Sequence, residues 1–269
     1  MKKSLCTAFA AIALTCAAQQ HVCVNPYTGE AASKDTAPAL EIFIPENPAG
    51  PAVVACPGGG YGFLAYDKEG ADWADWLGER GIALAVLNYT LPKGNCQLPG
   101  NDAKAAISYL RENAAALKLD PEKIGIMGFS AGGHLASTAA THYDSEANRP
   151  SFQILVYPVI SMDSTITHKG SRVNLLGENP TEGLVTLYSN EKQVKAGNPP
   201  AYIIACEDDR TVPVANSLRY FQALTDAGVP AEAHFFPTGG HGFGKLPGFK
   251  YVNSMLNTLS DWLADTVKK

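Results

Sequence analysis

Short apolar runs recur along this chain and alternate with longer stretches of helical spacing. Leu40–Ile44 and Ala52–Cys56 are β-compatible runs separated by a turn over Pro45–Pro51. Glu69–Arg80 predicts a helix, with Trp73, Trp76 and Leu77 at core spacing and Gly81 just past its end. Ile82–Tyr89 reads as a strand. Asn101–Leu117 reads as a long helix carrying Ala105, Ile107, Leu110 and Leu117 as apolar positions. Ile124–Met127 is a further strand, and the helix-compatible run Gly133–Ala140 follows it. Phe152–Tyr157 and Ala201–Cys206 are continuous apolar runs, as expected for strands buried on both faces. Val214–Ala227 is a helix ended by Gly228, Ala233–Phe236 a last strand, and Tyr251–Lys268 an amphipathic helix. Repeated strand–helix alternation predicts an α/β fold, with a mostly parallel central sheet flanked by helices.

Two stretches break this rhythm. Residues 19–37 are polar and contain Pro and Gly, and are expected to be a linker with little structure. Residues 161–199 carry Ser161, Asp163, His168, Lys169, Arg172, Asn174, Glu178, Asn179 and Asn190 between two strand signals. Their length favours a small polar cap over the strand ends; an ordinary surface connection is the alternative. The N-terminus has the form of an export signal over residues 1–18: Lys2-Lys3, the apolar core Leu5–Cys16, then Ala17-Ala18 before Gln19. That core is too short for a permanent membrane helix. A lipid-modified Cys16 fits less well, because Leu14 stands one position too close. The remaining chain, 38–269, is read as one α/β domain, exported to the periplasm or beyond.

Composition narrows the partners. At 269 residues and 46% hydrophobic content, the chain can bury a sizeable core. A net charge of −5 and no Lys/Arg cluster argue against nucleic acid as a partner. Of six cysteines, Cys6 and Cys16 fall in the leader. Cys23, Cys56, Cys96 and Cys206 have no metal-ligand spacing. Cys56 and Cys206 end apolar strands and are expected to be buried thiols. An oxidising compartment would permit a Cys23–Cys96 disulfide.

The chemistry centres on Gly128-Phe129-Ser130-Ala131-Gly132, a G-x-S-x-G set between a strand and a helix. That context predicts a sharp turn that presents Ser130 Oγ at the sheet edge. A serine hydroxyl needs a base, commonly His held by a carboxylate, and such sheets order them Ser, acid, His. His241, in Thr238-Gly239-Gly240-His241-Gly242-Phe243-Gly244, is the base candidate. Glu207-Asp208-Asp209 directly follows a strand; Asp209 is the acid candidate and Asp208 the alternative. Developing negative charge also needs donors. The glycines after Ala52–Cys56 supply Gly59 and Gly60 N–H groups, joined by the N–H of Ala131. The loop lacks the Lys-Ser/Thr of a P-loop and the spacing of a dinucleotide fingerprint. Tyr61 and Phe63 are candidates for the wall of the substrate pocket, core packing being the alternative for Phe63. No metal or organic cofactor is implied.

Together, PGGGY, GFSAGGH, ILVYPVISM, GSRVNLLG, DDRTVPVANSL and GGHGFG resemble the secreted carbohydrate-esterase branch of the α/β-hydrolases. Its members are acetylxylan- and feruloyl-esterase-like proteins. The resemblance covers about residues 38–266 and implies a Ser130, Asp209, His241 triad with Gly59, Gly60 and Ala131 as the oxyanion hole. It also implies acylated polysaccharide as substrate. Pro57 departs from the hormone-sensitive-lipase pattern, which has His there in HGGG. A short-chain lipase or general carboxylesterase is the alternative. An inactive carbohydrate-binding protein is a third reading, disfavoured because a binder has no need of Ser, Asp and His in order.

Overall fold

In a computed structural model, which describes residues 20–267, the strands are β1 (Gln20–Val24), β2 (Ala39–Ile44), β3 (Ala52–Cys56), β4 (Ala83–Asn88), β5 (Ile124–Phe129), β6 (Gln153–Val156), β7 (Ala201–Cys206) and β8 (Ala231–Phe236). They form one sheet in the order β1-β2-β4-β3-β5-β6-β7-β8. β2 pairs antiparallel with both neighbours, and every pairing from β4 to β8 is parallel. The mostly parallel sheet expected from the apolar runs is therefore present. The export segment expected over residues 1–18 lies outside the described residues.

Alternation along each strand feeds two cores. Ala52, Val54 and Cys56 of β3, with Ala85 and Leu87 of β4, pack on one face. That face is covered by α2 (Gln97–Glu112), α3 (Ala131–Thr141) and α6 (Ala215–Asp226). Val53, Ala55, Leu84, Val86, Met127 and Phe129 face the other way, under α1 (Ala74–Gly78) and α7 (Val252–Val267). α3 is buried on every side, so its small residues Ala131, Gly132, Gly133, Ala136, Ala139 and Ala140 suit a helix pressed between the sheet and its neighbours. The segment between β6 and β7 contains α4 (Lys169–Leu176) and α5 (Glu182–Leu187).

Two expectations change, and one pairing left open is decided. Of the expected linker, residues 20–37 are not structureless: β1 pairs with β2 in register from Gln20↔Ile44 to Val24↔Leu40, and Val24 bridges to Ala31. His21 stacks on Phe43 at 4.8 Å and bonds Glu41 at 2.7 Å. This five-residue edge strand runs from exposed at Gln20 and His21 to buried only at Val24, so it offers no alternation to read. The helix predicted over Glu69–Arg80 begins later, as a 3-10 turn at Ala71–Trp73 leading into α1, because Gly70 adopts φ −144°, ψ −97°. Glu69 is thereby left in the preceding loop. Cys23 and Cys96 are free thiols rather than a disulfide.

Candidate active site

The C-terminal ends of β3, β5, β7 and β8 lie together at one end of the parallel sheet, the place where such sheets present ligand-binding loops. At the end of β5 the chain turns within one residue. Ser130 has φ 52°, ψ −119°, and α3 starts at Ala131. A non-glycine residue in such a conformation costs about 1–3 kcal/mol. Ser130 N–H donates to Val156 O (3.1 Å), and Ser130 O accepts from the N–H groups of Gly133, His134 and Val159. Those bonds hold the turn against its strain. Gly132 is required here: a Cβ would lie 1.9 Å from the carbonyl oxygen of Cys56, where α3 passes the end of β3.

Loops from β7 and β8 complete a hydrogen-bonded row. His241 Nε2 lies 2.8 Å from Ser130 Oγ, and His241 Nδ1 lies 2.6 Å from Asp209 Oδ2. A carboxylate accepts only, so the imidazole proton sits on Nδ1 and Nε2 is free to accept from the serine hydroxyl. Asp209 is buried, and its Oδ1 accepts from the N–H groups of Thr211 (2.8 Å) and Val212 (2.9 Å). Asp208 turns elsewhere, its Oδ1 accepting from Gly240 N–H at 2.8 Å. This bond ties the β7 loop to the loop that carries His241. The other described histidines are engaged apart from this row. His21 meets Glu41, His142 meets Leu187 O, and His234 meets Glu232. His134 is buried in α3, and His168 bonds Ser171.

The Gly58–Gly60 loop reaches the row from β3. Gly59 adopts φ 124°, and a Cβ there would lie 2.1 Å from Phe63 O. Among the described residues, the N–H groups of Gly59, Gly60 and Ala131 have no protein acceptor. Three tethers fix this loop. Gly58 N–H donates to Glu69 Oε2 at 2.8 Å, Asn174 Nδ2 donates to Gly60 O at 2.8 Å, and Tyr61 OH lies 2.9 Å from His134 Nδ1. His134 Nε2 lies 2.8 Å from Tyr188 O and so carries the proton, leaving Nδ1 to accept from Tyr61. Burial lowers the His134 pKa to about 4, which keeps this acceptor neutral.

Glu69 and Tyr157 are site residues that sequence reasoning missed. Glu69 is buried, and its Oε1 accepts from Tyr157 OH at 2.8 Å. The Tyr157 ring packs 4.8 Å from the His241 ring and edge-on to Phe243 at 4.6 Å. Burial, reinforced by the Glu69 charge, holds the Tyr157 phenol well above its ordinary pKa, so it remains a donor. One carboxylate thus supports the glycine loop with one oxygen and the floor of the His241 ring with the other. Neither residue carried a pattern signal. Tyr157 ends an apolar strand, and Glu69 sits eleven residues from its Gly58 partner in an aperiodic loop.

Tyr61 is a correction. Its side chain is buried between Tyr89 and His134, not on a substrate wall. Its φ of 60° swings the ring back beneath the loop, a turn that periodicity does not reveal. Phe63 is the exposed aromatic, at 64%, with its ring edge over Gly59. The polar residues of 161–199 are partly internal. Asn190 is buried and donates to His134 O, Ser137 Oγ and Thr138 Oγ1; Asn198 donates to Ala140 O. This segment is knitted onto α3, and Asn174 reaches Gly60.

Chemically, this site joins a hydroxyl, a base with fixed tautomer, and unsatisfied N–H donors. The buried thiols Cys56 and Cys206 do not compete as nucleophiles. Burial raises the Cys56 pKa and, with Asp208 and Asp209 nearby, pushes that of Cys206 up to about 12. Among the described residues, no cluster of three His, Cys, Asp or Glu is placed to hold a metal ion.

Comparison with known proteins places the chain as a whole. Residues 40–224 match the BD-FAE family model. The chain is 43% identical over 235 residues to an acetylxylan esterase of Xylanibacter ruminicola, covering 86% of this chain and 49% of that protein. It is 37% identical over 204 residues to endo-1,4-beta-xylanase B of Butyrivibrio fibrisolvens, covering 71% and 32%. The chain therefore spans half or less of these curated relatives. Among solved structures, an acetyl ester-xyloside bifunctional hydrolase from Caldicellulosiruptor lactoaceticus superposes with a TM-score of 0.81 at 34% identity, covering 90% of this chain and 95% of that one. A carboxylesterase from Lactobacillus plantarum gives 0.75 at 25% identity, covering 93% and 98%. By sequence and by architecture, the chain belongs to the BD-FAE family and has the α/β-hydrolase fold.

Proposed function

We propose that this protein is a serine esterase that removes acyl groups, acetyl or feruloyl, from plant polysaccharide such as xylan. One observation carries the chemistry: the Ser130–His241–Asp209 row stands beside the free N–H groups of Gly59, Gly60 and Ala131. The substrate class rests on the named relatives, an acetylxylan esterase and an acetyl ester-xyloside hydrolase. In the reaction, His241 Nε2 takes the proton as Ser130 Oγ bonds to the ester carbonyl carbon. The carbonyl oxygen becomes an oxyanion held by the three N–H groups. Collapse breaks the bond to the sugar oxygen, which leaves with the proton from His241. Water then repeats the cycle on the acyl-serine, with His241 again as base, and releases the carboxylic acid. Asp209 fixes the ring and stabilises the imidazolium. Every proton in this cycle moves between protein, substrate and water, so the reading needs no metal or organic cofactor.

The 161–199 segment acts in this reading as a polar cap, and the leader over residues 1–18 as an export signal cleaved before Gln19. N-terminal sequencing of exported protein should begin at Gln19; an intact leader on that protein would reject export by cleavage. A general carboxylesterase is the second reading, favoured by the Lactobacillus plantarum neighbour. Acetate release from acetylated xylan, measured beside methyl ferulate and nitrophenyl butyrate, separates them. A kcat/KM for a sugar ester above that for the butyrate supports the polysaccharide reading, and the reverse order supports the carboxylesterase. Ser130→Ala should abolish every one of these activities while the protein stays folded.

A further inference from the structure

His168 stands at the N-cap of α4 and takes no part in the row described above. Its Nδ1 accepts from Ser171 N–H at 3.2 Å and lies 2.8 Å from Ser171 Oγ. An imidazole nitrogen that accepts a backbone N–H carries no proton, so the hydrogen sits on Nε2. Among the described residues, Nε2 has no hydrogen-bond partner. The half-buried ring lies against the glycine loop, its Cε1 3.4 Å from where a Cβ on Gly60 would stand. Asn174 of the same helix holds Gly60 O, so α4 and the loop are locked together. Burial and the nearby His241 charge hold the His168 pKa below the ordinary imidazole range, with Asp209 opposing. The ring is therefore a neutral, oriented donor.

What this donor can reach follows from the reaction geometry. With the ester carbonyl oxygen on the Gly59, Gly60 and Ala131 N–H groups, the leaving oxygen must lie at His241 Nε2 to receive its proton. A ring against Gly60, close enough to His241 and Asp209 for their charges to act on it, borders the place where that ester must lie. A sugar ester differs from a simple ester on its alcohol half by the hydroxyl on the neighbouring ring carbon. We propose that His168 Nε2–H donates a hydrogen bond to the hydroxyl adjacent to the acylated one, and so selects sugar esters over simple esters. This rests on the reading of Ser130 as nucleophile.

Two variants separate this role from helix capping. His168→Asn keeps an acceptor for Ser171 N–H where Nδ1 was and loses the distal donor. His168→Gln places an amide N–H near the Nε2 position and loses the cap. The readout is the ratio of kcat/KM for methyl 2-O-acetyl-β-xyloside to kcat/KM for nitrophenyl acetate. It should fall about tenfold in His168→Asn, the worth of one neutral hydrogen bond, and stay within about threefold of wild type in His168→Gln. With wild-type enzyme alone, the 3-deoxy analogue of the xyloside should lower the ratio by a similar factor. An unchanged ratio in His168→Asn, a larger fall in His168→Gln than in His168→Asn, or equal rates on the deoxy analogue would overturn the proposal. Ser130→Ala assayed alongside should lose both esters. Survival of its activity would reject the serine mechanism itself, an outcome distinct from failure of the His168 role.

Discussion

Asp208 and Asp209 are neighbours in sequence with different partners. Asp209 bonds His241 Nδ1, whereas Asp208 holds Gly240 N–H. Asp209→Asn can turn an amide N–H toward Nδ1 and force the wrong tautomer, and should lower kcat by about 10⁴-fold. Asp208→Asn weakens one loop contact and should cost no more than about tenfold. The reverse order in an ester assay would reassign the acid. His134 belongs to this scale as well. Its pKa drops from 6.5 unfolded to about 4 in the buried fold. The unfolded chain therefore binds the proton first as pH falls, and the contribution of His134 to stability is complete above about pH 6.5. That contribution is lost progressively between pH 6.5 and 4, and amounts to on the order of 3 kcal/mol. Urea melts of the wild type should show this acid loss, and His134→Gln should flatten it; an unchanged profile in the variant would place the loss elsewhere. Ser130, Asp209 and His241 were legible because each follows a strand signal and their order is dictated by the sheet. Tyr61 was misread because a positive φ at one residue decides which way its ring faces.

The loop after β3 depends on partners from distant parts of the chain: Glu69, Asn174 of α4, and His134 of α3. Glu69 also accepts from Tyr157, whose ring packs on His241. Glu69→Gln preserves the shape but replaces one accepting oxygen with a donor, so Gly58 N–H keeps its acceptor only if Tyr157 OH reverses to accept from the amide. We expect kcat to fall about tenfold or more with little change in KM, because the loop donors act on the transition state rather than on bound substrate. A change confined to KM would show that Glu69 supports binding alone. Such tethers were not legible, since they join aperiodic loops to residues far away in sequence. Helix ends show the same boundary. α1 starts after Gly70 because of that glycine's backbone, while the apolar spacing of Trp73 and Leu77 had marked the helix itself. The β1 edge strand hid for want of alternation.

The whole sheet gathers residues 58–60, 130, 209 and 241 at one end. Parallel strands bring their C-terminal loops together, and this was readable from the apolar runs that alternate with helices. The two buried faces follow from the same runs, since successive residues of β3 and β4 enter opposite cores. The substrate lies beyond what periodicity can show, because the surroundings of the glycine loop are assembled from side chains far apart in sequence, such as Phe63 and His168. Among the described residues no helix is long and apolar enough to cross a membrane. In the proposed mechanism Ser130 becomes covalently acylated. Treatment with an aryl phosphonate ester, followed by intact mass and peptide mapping, tests it at the atom concerned. One adduct should form, on the peptide carrying Gly128–Gly132, with loss of ester hydrolysis in proportion to labelling and no labelling of Ser130→Ala. An adduct on another residue, or full hydrolysis by protein labelled at Ser130, would contradict it.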